Sequence, residues 1–197
     1  MRYRLLPAFL IVTTTLFMSC DDDESPVDPF DDLAKYGSIV ITMSGTDPDG
    51  NSFSKTIDYK YMPEFSFQYS LANPGFENPD AVVFSLKRRS SVLDPISSSD
   101  YWAEITLVAD NSGSTQTFPN QRLLVAANIL NEESRKYFEV QADVFSAEIS
   151  NYTYNQTSGK LKFTMTSTVA EQDHNLSGDL LITAEVNVTV FTQVTAN

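Results

Sequence analysis

Residues 180–194, LLITAEVNVTVFTQV, decide the fold class. Leu180, Ile182, Ala184, Val186, Val188, Val190 and Val194 fall on one side of a two-residue period; Thr183, Glu185, Asn187, Thr189 and Gln193 fall on the other. A helix repeats its apolar residues every three or four positions, whereas alternation marks a strand with one face in a core and the other in water. The same alternation sets Leu161, Phe163, Met165 and Val169 against Lys160, Lys162, Thr164, Thr166 and Thr168. It also sets Phe138, Val140, Ala142 and Val144 against Glu139, Gln141 and Asp143. Further strand signals cover 38–44, 52–61, 64–71, 81–87 and 101–109, bounded by Gly, Pro, Asn, Asp and Ser. Gly159 and Gly178, each after a serine and before an apolar strand start, read as successive tight turns of a meander. Short strands without a strand–helix–strand rhythm predict an all-β domain, an antiparallel β-sandwich, with a β-barrel as the alternative. Residues 121–136 depart from the pattern: Leu123, Ala127 and Leu130 stand at helical spacing behind a capping Asn120, which predicts one short helix. A strand through 123–129 is the competing reading.

The chain has 197 residues, enough for one ordinary domain, and its 42% hydrophobic and 12% aromatic content suffices for a packed core. Thirteen Lys and Arg face 26 Asp and Glu, a formal charge of -13 that repels phosphate backbones and argues against nucleic acid as a partner. One Cys and one His exclude a disulfide framework, a Cys/His zinc site and nucleophile systems that need more than a single histidine.

Residues 1–19 read as an export signal: Arg2 and Arg4 precede an apolar run over 5–17, interrupted by Pro7 and Thr13 to Thr15. The run is shorter than the roughly 20 apolar residues of a membrane span. It ends in Leu16-Phe17-Met18-Ser19-Cys20, which resembles the lipobox of bacterial lipoproteins, with Phe17 in place of the usual aliphatic residue. The resemblance implies that Cys20, the only cysteine, carries a thioether-linked diacylglyceryl group and becomes the first residue after cleavage. Several acyl chains, at about 0.8 kcal/mol per buried CH₂, would hold the protein on a membrane. Residues 20–34 form an acidic tether holding seven of the 26 acids, among them Asp21-Asp22-Asp23-Glu24, with Pro26 and Pro29 keeping it extended. Because residues 1–19 contain two arginines and no acid, cleavage takes the formal charge from -13 to -15. An acidic run behind a lipidated cysteine resembles the signal some Gram-negative lipoproteins use to reach the cell surface; a periplasm-facing spacer is the alternative. Residues 35–197 then form a single β domain.

Candidate sites within that domain are few. Asp47, Asp49, Asn51 and Asp58 match the oxygen positions of an EF-hand loop, a candidate calcium site. Ser52 stands where that loop needs glycine, and the flanks alternate as strands, so a hairpin turn is the preferred reading and no cofactor is expected. Tyr59, Tyr61, Phe65, Phe67 and Tyr69 share odd parity, an aromatic row expected to face the core. Trp102, opposite Ile105 and Leu107 in parity, and Tyr152 and Tyr154, opposite Ile149, are expected on the wet faces, where aromatic rings can stack on a ligand. Lys87-Arg88-Arg89 reads as an edge guard or a rim charge, and His174 as a solvated turn residue. No pair of carboxylates stands out for hydrolysis, so the chain is expected not to be an enzyme. The expected function is a surface module binding a glycan or an envelope protein; a structural subunit of an outer-membrane assembly and a carrier of small apolar ligands are the alternatives.

Overall fold

A computed structural model describes residues 36–61, 68–75, 77–90 and 101–192. Eleven strands form among these residues: β1 (Gly37–Thr46), β2 (Ser52–Lys60), β3 (Tyr69–Pro74), β4 (Ala81–Ser90), β5 (Trp102–Asp110), β6 (Thr117–Asn131), β7 (Lys136–Val144), β8 (Glu148–Asn155), β9 (Lys160–Val169), β10 (Ser177–Thr189) and β11 (Phe191–Thr192). Hydrogen bonds run through the order β7-β6-β5-β4-β2-β1-β10-β9-β8, with β3 on the side of β4 and β11 beyond it. Every ladder is antiparallel except β11 with β3.

This path folds into a sandwich at one corner. β4 pairs with β3 along Val82 to Lys87 and touches β2 only through Tyr59–Ser90 and Lys60–Arg89. One leaf is therefore β7-β6-β5-β4-β3 and the other β2-β1-β10-β9-β8. Their inner faces meet in one core, where Ile39, Ile41 and Met43 join Phe84, Ile105, Leu107, Leu123 and Ile182. Tyr59 reaches across from β2 and donates its hydroxyl to the Ala126 carbonyl of β6 at 3.2 Å. β7 and β8 are joined by only three residues, yet no ladder pairs them, so the sheet does not close into a barrel.

The expected helix over 121–136 is corrected to strand β6 and a turn. Leu123, Val125, Ala127 and Ile129 are buried while their even-numbered neighbours are half-buried, a two-residue period set by pairing with β5 and β7. Two full ladders outweigh local helix propensity. Asn131 ends the strand: its Oδ1 accepts from the Glu133 and Ser134 amides at 2.9 and 3.3 Å, turning the chain back into β7. The two glycines of the C-terminal echo differ in role. Gly159 closes the β8–β9 hairpin at φ +68°, but Gly178, at φ +70°, lies inside β10 beside the register shift opposite Thr46. Glu171–Asp173 forms a 3-10 turn, and among the described residues no helix is long and apolar enough to cross a membrane.

Candidate functional site

The outer face of the β4–β7 leaf carries the chemistry. Register aligns Lys87, Glu104, Leu124 and Asp143 across four strands, and in the neighbouring row Arg89, Trp102, Ala126 and Gln141. Their core-facing neighbours Ala103, Ile105, Val125 and Ala142 hold these side chains outward. Lys87 Nζ lies 3.0 Å from Glu104 Oε2 and 4.6 Å from the centre of the Trp102 ring. Burial raises the Glu104 pKa, but hydrogen bonds from Tyr69 and Lys87 and the positive charges of Lys87 and Arg122 outweigh it, and the carboxyl sits below its usual range. Tyr69, half-buried beside that carboxylate, is pushed up to about 12 by desolvation and by Glu104. Arg122 holds Asp143 through two bonds, 2.9 and 2.6 Å, and stacks 4.9 Å over the exposed Phe145 ring.

Between these groups lies a groove of about 460 Å³, floored by Trp102, Leu124 and Ala126 and walled by Glu139, Gln141, Asp143 and Asp173. Asp173 arrives from a distant part of the chain. The β9–β10 connection folds against the outer edge of β7, where Asn175 Oδ1 accepts from the Gln141 amide and Nδ2 donates to the Glu139 carbonyl, both at 2.9 Å. The side-chain amide thus replaces a strand neighbour, and a bridge between Ala142 and His174 extends the seal. His174 is half-buried, and its Nδ1 accepts from the Leu176 amide at 3.1 Å. One loop both blunts an open edge and supplies the groove's rim.

Of the aromatic residues expected on wet faces, Trp102 alone lies there. Tyr152 and Tyr154 are corrected: both are half-buried and point inward, Tyr154 edge-on to Phe84 at 4.9 Å and Tyr152 against Phe118 at 5.1 Å. The cause is a bulge in β8 between Ser150 and Thr153, with Asn151 at φ +54°. One extra residue reverses the parity beyond it. Desolvation pushes Tyr152 up to about 12. The aromatic row divides likewise: Tyr59 is core, Tyr69 is on the opposite, outer face, and Phe65 and Phe67 lie outside the described residues.

Asp47, Asp49 and Asn51 form the β1–β2 turn, with Gly50 at φ +88°. The buried Asp47 carboxylate faces N–H donors: the Asp49 and Asn51 amides at 3.0 and 2.8 Å, and Asn131 Nδ2 at 2.6 Å. Burial raises its pKa, but these hydrogen bonds prevail and leave it lowered. Asp49 pairs with Lys136 at 2.7 Å, whereas Asp58 lies far along β2, 3.1 Å from Lys60. The loop carboxylates are thus engaged by donors within the protein, and among the described residues no cluster of three or more metal-ligating side chains occurs. Cys20 lies outside the described residues.

Arg88 was expected at an edge and is wholly buried. Nη1 donates to the Tyr69 and Lys87 carbonyls at 2.9 and 3.0 Å; Nη2 donates to the Tyr36 carbonyl at 3.1 Å and to Ser70 Oγ. Burial draws its pKa down to about 10, so it stays charged at neutral pH. It ties the start of β1 to β3 and β4. The signal was present in the alternation of Phe84, Leu86, Arg88 and Ser90, all of which face the core.

No protein-family model, curated protein or solved structure matches the chain.

Proposed function

We propose that this is an exported, lipid-anchored surface binding module that takes a glycan in the groove over Trp102. The observation that carries the reading is the groove itself: an apolar floor containing an indole, inside walls of carboxylate and amide. An indole and flanking aliphatic side chains suit the C–H face of a sugar ring, while carboxylates and amides take its hydroxyls. A volume of about 460 Å³ is within the range of small-ligand sites. Anchoring rests on the lipobox resemblance at Cys20 and the acidic tether behind it.

Trp102 is the only tryptophan in the chain, so intrinsic indole emission reports on this groove alone. Titration of the purified protein with a panel of soluble polysaccharides is expected to give a saturable change in emission with at least one of them. A panel that leaves the emission unchanged throughout contradicts the glycan reading. For the anchor, Cys20→Ser is expected to move the protein from the membrane fraction to the soluble one; membrane retention contradicts lipidation.

A further inference from the structure

The charge and hydrogen-bond inventory of the groove selects among glycans, and we infer that its ligand carries free amines, an inference that rests on the glycan reading above. The walls are rich in acceptors and poor in donors. Glu139, Asp143 and Asp173 bring three carboxylates, while Gln141 already donates its Nε2 to Glu139 at 2.8 Å. No lysine or arginine lines the groove, and the nearby cations are engaged: Lys87 with Glu104 and the Trp102 ring, Arg122 with Asp143 and the Phe145 ring, and Arg89, across from Trp102, with a partner of its own. Among the described residues Glu139 and Asp173 have no ion-pair partner, so the groove keeps uncompensated negative charge.

A ligand that fits must therefore donate. A neutral sugar donates through hydroxyls; an amino sugar adds an ammonium that donates three times and neutralises the wall. Lys87 against the indole shows the same preference within the protein, since the face of the ring attracts an ammonium. A uronate presents further carboxylates to a wall of carboxylates on a chain of formal charge -13, and both the wall and the wider field oppose it.

The experiment compares three oligosaccharides of equal length by indole emission, at low salt and a pH where amines are protonated: oligo-glucosamine, its fully N-acetylated counterpart, and oligo-galacturonate. Two exposed ion pairs give glucosamine an advantage of roughly tenfold over the acetylated form. Galacturonate is expected to be weakest. The advantage should shrink as salt is raised, and should largely vanish in the E139Q/D173N variant, read as the ratio of the two affinities measured on that same variant. Equal binding of the amine and acetylated forms overturns the amine inference and leaves the glycan reading standing; so does preferred binding of galacturonate, or an amine advantage that survives in E139Q/D173N. If none of the three binds, and a broader panel also fails, the glycan reading falls and the inference with it.

Discussion

The two outer faces of the sandwich obey the same alternation and carry different chemistry. On the β2-β1-β10-β9-β8 leaf, register aligns Thr56, Thr42, Thr183 and Thr166 across four strands. Around that row short side chains bond to one another, Thr42 to Thr56 and Ser44 to Ser54, each at 2.9 Å, and the longer Asp58, Lys60, Lys162 and Glu185 stand further along the leaf. On the β4–β7 leaf the corresponding positions hold Trp102, Glu104, Arg122 and Asp143, long side chains held by ion pairs, and a loop supplies Asp173 beyond the last strand. A wet face gains a groove when large side chains and a folded-over loop give it walls.

The comparison can be broken or sharpened at several points. The largest effect is expected where the two leaves meet. Arg88→Met strips donors from Ser70 and three backbone carbonyls and should cost about 3 kcal/mol in urea unfolding, disturbing both faces alike. A cost below about 1 kcal/mol would mean that the corner does not depend on that clamp.

Next comes Trp102→Ala, expected to lower glycan affinity more than tenfold while unfolding changes far less, since a central aromatic anchor is worth about 2 kcal/mol. Calorimetry is the suitable readout, because the variant retains no tryptophan. Asn175→Ala should cost about 1 kcal/mol by opening the edge of β7, and should loosen the rim, raising self-association in sedimentation and weakening binding together.

Asp47 allows a pH test that leaves both faces alone. Its native pKa is lowered, so the stability it confers is complete above the ordinary carboxylate value of about 4 and drains away as pH falls toward the lowered native value. Unfolding of D47N followed from pH 6 downward should therefore show a flatter acid limb than the parent; identical limbs would mean that the turn does not hold an ionised carboxylate. The smallest effect is expected at Thr183→Val on the hydroxyl face: a stability change within about 0.5 kcal/mol and unaltered glycan affinity.

Most of the sandwich was legible because alternation is a local signal: β1, β2, β4, β5, β7, β9 and β10 occupy the segments where apolar residues recur every second position. The failures come where a distant partner or a single irregular residue decides. Residues 121–136 carry helix formers, and only the ladders to β5 and β7 make the first eleven of them strand. Tyr152 and Tyr154 obey the alternation once the bulge at Asn151 is known, but one left-handed asparagine leaves no periodic trace. The groove was legible only at Trp102. Its walls depend on β7 lying beside β6 and on Asn175 clasping β7 from a loop more than thirty residues away.

The most direct test of the account is a backbone amide shift map of the ¹⁵N-labelled protein titrated with oligo-glucosamine. The account predicts shifts concentrated at Trp102, Leu124 to Ala126, Glu139 to Asp143 and Asp173, with Thr42, Thr166 and Thr183 unmoved. Saturable shifts centred on the threonine row, with the Trp102 groove silent, would contradict it.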